Sequence, residues 1–356
     1  MKTKIKTLLL LTCCVLFFNC NEKETDLELN SELSNDVTFG FISEGRPNNA
    51  LSYSEIVSML NHYDKTRGQA LMKRLGKEDN RSVFFSKESL KNFIDEVESI
   101  SRSKGIEFTG VSFLSTAYSM DHKDDSKRGE RTLVLMPTTK IKDDNTVIFD
   151  PRQSRSNTPV TLNQIIDDFG FDNRESILNS NLNLMSKAQD VQSIGLSDKE
   201  VSYKELISML SEYNTNKANI LEGAIGKEDV RKTSFSLNSF KSYLAYIEEL
   251  STEKNIELTG VNILFGAYPE NYAINPVKRN YMSVILIPVT NIDGKRVMFD
   301  PLNSDLNQPK AVQDILSSYG YNYGDVLSKR LNFSMSRSSG DIESSGANRG
   351  QMSPPY

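Results

Sequence analysis

Two histidines, three cysteines and a handful of recurring carboxylates are the side chains from which this sequence could build a reactive centre. His62 falls in a stretch of helical periodicity, and the residue 150 positions later is Glu212. His122 lies in a polar stretch whose later counterpart carries Tyr272. Neither histidine recurs, so the base needed to activate a serine or cysteine nucleophile is not expected. The run Asp121–Asp125, "DHKDD", reads as a solvated loop. No HExxH, EF-hand or CxxC pattern occurs, so neither a metal nor a cofactor is expected. The Gly-Lys pairs at Gly76 and Gly226 follow a helix and precede Glu78 and Glu228. A phosphate-binding loop needs the pair to follow a strand and precede Ser or Thr. The recurring acids are Glu78, Glu228 and the Asp150 and Asp300 of two "FDP" words. Paired carboxylates can hydrolyse glycosides, but Asp before Pro is first of all a turn residue. No catalytic residues are assigned.

The elements that would position these groups are written twice. "SYSEIVSMLNHY" at Ser52 and "SYKELISMLSEY" at Ser202 agree at 7 of 12 positions. "GKEDNRSVFFSKESLKNF" at Gly76 and "GKEDVRKTSFSLNSFKSY" at Gly226 agree at 9 of 18, and "GIEFTGVSFLSTAY" at Gly105 and "NIELTGVNILFGAY" at Asn255 at 8 of 14. The offset is 150 throughout, apart from a one-residue shift between Pro137/Pro288 and the "FDP" words. A repeat of this length is domain-sized rather than solenoid-sized. The expected organisation is a signal peptide at 1–19, a flexible tether at 20–50, a first unit at 51–187, a linker at 188–200, a second unit at 201–333 and a disordered tail at 334–356.

Within each unit apolar residues first recur at helical spacing, from Ile56 to Leu75 and from Leu206 to Ile225, up to a glycine suited to end a helix. Ser86 is a candidate N-cap for a second helix. The period then changes to two in "TGVSFLSTAY" and "TGVNILFGAY", and β-branched runs follow, separated by Asp/Asn/Gly turns. A short helix around Ile165 and Ile315 closes each unit. The class expected is α+β: two tandem copies of one domain, each a three- to four-stranded antiparallel meander packed against two to three helices. Tyr118 and Tyr268 stand where the central strand gives way to the longest polar loops, Ser119–Glu130 and Pro269–Asn280, and long loops often carry function. Those loops are the first choice for a ligand site, with Tyr118, Tyr268, Tyr272 and Arg279 as its residues. Arg81 and Arg231, beside the recurring "GKED", are the second choice, because a guanidinium can grip a carboxylate or phosphate in two-point fashion. The second unit keeps "FGAYP" and is expected to be the more functional one.

The first residues decide the compartment. Lys2, Lys4 and Lys6 precede a short apolar run that stops at Asn19-Cys20, the layout of a secretory signal. Cys20 in that place resembles the lipidated cysteine of bacterial lipoproteins, although Phe17, Phe18 and Asn19 depart from the usual preceding residues. The resemblance implies lipidation at Cys20 and a membrane partner through that lipid, in the cell envelope and most naturally at the outer membrane, on its periplasmic or surface face. The order from Arg231 through "TGVNILFGAYP" to "SVILIPV" is similar to uncharacterised envelope lipoprotein domains, over residues 202–301 and less faithfully 52–151. The chain has 42 basic and 47 acidic residues. Without the three signal lysines the balance is 39 − 47 = −8, which argues against nucleic acid as a partner. The function expected is therefore a lipid-anchored envelope binding or interaction protein with a protein or glycan partner. The alternatives are a carboxylate-dependent hydrolase of envelope or extracellular glycans and a structural spacer in an envelope assembly.

Overall fold

The computed structural model describes residues 37–142, 145–168, 192–193, 201–321, 343–347 and 351–353. The signal peptide and Cys20 lie outside the described residues, as do most of the tether and linker. Among the described residues no helix is long and apolar enough to cross a membrane.

The fold is a mixture of helices and antiparallel sheet. Strand β1 (Ala50–Ser52) leads into α1 (Tyr53–Tyr63), whose first turn is closed by a capping box: Ser52 Oγ accepts from Glu55 N, and Glu55 accepts from Ser52 N at 3.0 Å. A π-helical turn, Asp64–Gly68, carries the helix into α2 (Gln69–Leu75), which ends at Gly76 with φ 72°, the left-handed stop expected of a glycine there. Then come β2 (Ser82–Ser86), α3 (Lys87–Ser103), β3 (Gly110–Ala117), β4 (Arg131–Lys140), β5 (Thr146–Arg155), β6 (Thr158–Thr161) and α4 (Leu162–Asp168). Short strands β7 (Gln192–Ser193) and β8 (Val201–Ser202) lead to the second half: α5 (Tyr203–Tyr213), a π turn at Asn214–Ala218, α6 (Asn219–Ile225), β9 (Lys232–Ser236), α7 (Leu237–Glu253), β10 (Gly260–Ala267), β11 (Met282–Ile292), β12 (Lys295–Met298) and α8 (Val312–Ser318). From α1 to β3 every element recurs at an offset of 150, as 203 − 53 and 260 − 110 show. The N-cap expected at Ser86 is present: its Oγ accepts from Ser89 N at 3.0 Å, and Ser236 does the same for α7.

Strand pairing departs from the sequence expectation. The meanders form as expected, β3-β4-β5-β6 and β10-β11-β12. Beside each central strand, however, lies a strand from the other half. β2 pairs with β10 (Gly260↔Ser86 to Leu264↔Ser82), and β9 pairs with β3 (Gly110↔Ser236 to Leu114↔Lys232). Helix α1 likewise packs on β10 and α5 on β3. The helix-and-strand segment opening each half therefore completes the sheet of the other half. The units expected at 51–187 and 201–333 thus share strands across the halves among the described residues. Gly110 and Gly260 permit the exchange: a Cβ on them would stand 2.2 Å from the Phe235 carbonyl oxygen and 2.3 Å from that of Phe85.

The exchange also explains the burial. Val111, Phe113, Leu133 and Leu135 on one sheet and Val261, Ile263, Phe265 and Val284 on the other share one core with Phe93, Ile94 and Val97 of α3 and Tyr243, Leu244 and Ile247 of α7. The outer face of the β10–β11 sheet is covered by Ile56, Met59 and Leu60 of α1 and Ile315 and Leu316 of α8. That of the β3–β4 sheet is covered by Leu206 and Met209 of α5 and Leu162 and Ile165 of α4. All eight residues of β3 are buried, so its polar alternates face a covered layer and not water. The last 23 residues, expected as a disordered tail, supply two strands instead. β13 (Glu343–Ala347) pairs with β1 and β11, and β14 (Gln351–Ser353) pairs with β9. Part of the expected linker is also a strand, since β7 pairs with β8. The sequence carries the hint in "DVQSIG" at Asp190 and "DIESSG" at Asp341, 151 residues apart.

Candidate functional site

The recurring charged residues meet where the two halves cross. In the π turn of the first half, Arg67 is fully buried and grips Asp229 of the second half at two points: Nε donates to Oδ2 at 2.6 Å and Nη2 to Oδ1 at 3.0 Å. In the π turn of the second half, Lys217 donates to Asp79 Oδ1 of the first at 2.8 Å. The two acids are the aspartates of the two "GKED" words. Asp229 Oδ1 also accepts from the amides of Val230 (2.8 Å) and Met282 (3.0 Å), and Asp79 Oδ1 from Arg131 N at 3.2 Å. A π turn widens a helix and redirects its side chains, and here it turns one cation from each half toward the other half's acid.

Arg131 occupies the middle of this crossing with no exposed surface. Its guanidinium lies 3.5 Å above the centre of the Phe265 ring, contacts Tyr63 Oη and donates to Met282 Sδ at 3.5 Å. Arg131 Nε and Asp79 Oδ2 are 3.7 Å apart, an ion pair without a hydrogen bond, and among the described residues neither atom has a hydrogen-bond partner. Arg131 stands opposite Ala117 in the strand register, as Met282 stands opposite Ala267. Ser115 takes the place that Phe265 takes in the second half. The first half thus has Arg and Ser where the second has Met and Phe. Burial pushes the Tyr213 phenol, on the opposite side of this cluster, up to about 12.

Two further locks join the halves at the "FDP" words. Asp300 Oδ2 accepts from Tyr53 Oη at 2.8 Å, Asn303 Nδ2 at 2.9 Å and Ser345 N at 3.4 Å, while Oδ1 accepts from Leu302 N at 2.9 Å. Asp150 contacts Tyr203 Oη and accepts from Arg152 N at 2.6 Å. Burial pushes the Asp150 carboxyl above the usual carboxylate range, and burial together with Asp300 pushes the Tyr53 phenol up. Both aspartates are buried, and each accepts from the backbone amide two residues on, as a turn residue does. Glu78 and Glu228 are exposed. The carboxylates needed for glycoside hydrolysis therefore do not share an open cleft.

Of the residues proposed for ligand binding, Arg81 contacts Asp64 and donates to Tyr321 Oη at 2.6 Å, and Tyr321 Oη donates to Asp64 Oδ2 at 2.8 Å. Burial raises the Asp64 carboxyl to about 6 despite the arginine beside it. Arg231 donates to Asn214 Oδ1 at 2.5 Å and to Glu222 at 2.9 Å. Both arginines stand just before an exchanged strand and tie it to the π turn of its own half. Tyr268 and Tyr272 are buried with ring centres 4.7 Å apart, so they form the base of the second long loop and not its surface. Arg279 donates through Nε to Tyr272 O at 2.8 Å, and Arg128 makes the same staple to His122 O in the first loop. Tyr118 is half-buried, packed edge-on against His122. Among the exposed charged and polar residues of the loops stand apolar ones: Met120 in the first, and Ile274 and Val277, 62 % and 81 % exposed, in the second.

Sequence reasoning missed Arg67, Lys217, Asp79, Asp229 and Arg131. The signal was there in part, because positions 67 and 217 keep a cation and 79 and 229 keep an acid at the offset of 150. Among the described residues no group of His, Cys, Asp and Glu could hold a metal ion. A comparison with protein families, with curated proteins and with solved structures found no match for the chain.

Proposed function

We propose that the chain is a lipid-anchored envelope interaction protein, made of two copies of one α+β unit that have exchanged their opening segments. The observation that carries the interaction reading is the loop after Tyr268. Its base is fixed by the Tyr268–Tyr272 pair, by the Arg279 staple and by Asn280, whose Oδ1 lies 2.8 Å from His62 Nε2. Its tip holds Ile274 and Val277 out in solvent. A braced loop with exposed apolar side chains loses little entropy on binding, which favours recognition. The polar groups that recur are spent on holding the halves together, which supports binding over catalysis. Lipidation at Cys20 rests on the sequence resemblance.

The test is an affinity pull-down of the lipidated protein from mildly cross-linked envelopes, with Cys20→Ser as the control for anchoring. A stoichiometric partner, protein or glycan, should be recovered with the parent chain and lost with Ile274→Ser plus Val277→Ser. Retention of every partner by the double variant would remove the loop from the site.

A further inference from the structure

We propose that the outer edge of β2 is a strand-addition site that takes an extended segment of a partner protein. β2 and β9 hold equivalent places, each beside the other half's central strand in the same register, Ser86 opposite Gly260 and Ser236 opposite Gly110. β9 is not the edge of its sheet. The strand β14 closes it, antiparallel, with Gln351 opposite Ser234, Met352 opposite Thr233 and Ser353 opposite Lys232. β2 ends the other sheet, and among the described residues no strand pairs with its outer side.

The composition of the edge points the same way. Edge strands are usually guarded against pairing by Lys, Pro or a bulge. Ser82–Ser86 reads Ser-Val-Phe-Phe-Ser and contains none of these, whereas the already covered β9 begins with Lys232. Val83 and Phe85 belong to the common core and anchor the strand there, while Ser82, Phe84 and Ser86 are half-buried on the other face. An anchored strand with strong β-formers and unused outward amides is a template for main-chain pairing.

The occupant of β9 indicates the chemistry of the occupant of β2. It is a short antiparallel segment, free of proline over the paired residues, with an unbranched apolar residue at the position opposite Val83, as Met352 stands opposite Thr233. The chain's own β14 is engaged on β9, and among the described residues no other segment lies along β2, so the occupant inferred is a partner's segment. The inference does not depend on the long loops: it can hold when the loop reading fails, and the reverse.

Hydrogen exchange of the full chain, resolved to single amides, tests this. The outward amides of residues 82–86 should exchange at least about tenfold faster than those of 232–236, since unpaired edge amides open without unfolding. A peptide copying residues 348–355, used in excess as the probe strand, should slow the 82–86 amides. Ser82→Lys, which adds an edge guard at a half-buried position, should abolish that slowing while leaving the fold intact by circular dichroism. Phe84→Lys is the second variant. Equal protection of both strands in the chain alone would overturn the proposal, because the edge would then be covered already. Peptide protection unchanged by both variants would also overturn it. Protection of 82–86 that grows with protein concentration would replace the partner with a second copy of this chain.

Discussion

Asp229 accepts from a guanidinium and two backbone amides, and it joins α2's preceding turn to the strand β11 of the other half. Breaking a buried ion pair by removing one partner leaves a charge in the interior and costs about 3–5 kcal/mol. Arg67→Ala or Asp229→Ala should each lower the unfolding free energy by that order in a urea titration. Arg67→Met with Asp229→Leu should lose less than either alone, because the desolvated charge is gone as well. Asp64 gives a pH prediction. Its folded carboxyl is raised to about 6, above the ordinary value, so the folded state holds this proton more tightly than the unfolded chain. The contribution of this residue to stability is unfavourable above pH 6, and it is relieved as pH falls from about 7 toward 4. Asp64→Asn should remove that slope in pH-dependent denaturation while keeping the contact to Arg81, since Asn214 accepts from Arg231 at the same place in the second half.

At the scale of elements, the exchanged strands depend on the two glycines that begin β3 and β10. A methyl at Gly110 would press on the backbone of Phe235, which cannot rotate away. Gly110→Ala should therefore destabilise by about 1–3 kcal/mol, the usual cost of overpacking, seen as a fall in the thermal midpoint. Gly260→Ala should do the same to β2. A methyl at Gly76 meets nothing within 4 Å, and its cost comes from φ alone. The helices, their caps, the glycine stops and the meanders were legible because each is decided by neighbours in sequence. β2 and β9 were not read as strands, because five residues between a charged turn and a serine cap carry too short a pattern. The tail strands were hidden by their composition: Glu-Ser-Ser-Gly-Ala resembles a linker, yet Ser344 donates to Leu51 O at 2.9 Å and Ser345 to Asp300. The buried ion pairs were hidden in the same way, since "GKED" after a helix stop is also what a solvent-exposed turn looks like.

At the scale of the whole molecule, the exchange itself could not be read from one sequence. A strand that pairs with the central strand of its own half or of the other half carries the same residues, the same period and the same register. Only the buried contacts across the halves distinguish them: Arg67 with Asp229, Lys217 with Asp79, and Tyr53 with Asp300. A protease site introduced between residues 188 and 200 gives a direct check. After cleavage the two fragments should elute together under native conditions and part only in denaturant. Separation without denaturant would mean that each half closes on itself.

The crossing also imposes an order in time. β2 finds its partner in β10, and Ser86 lies 260 − 86 = 174 residues before Gly260. At about 5–20 residues per second, a ribosome needs roughly 10–35 s to deliver the partner after β2 has been made. Throughout that interval Val83, Phe84 and Phe85 lack the strand they pair with in the folded chain. The newborn first half thus carries a strand without its native partner, and the molecule becomes whole only when its second half arrives.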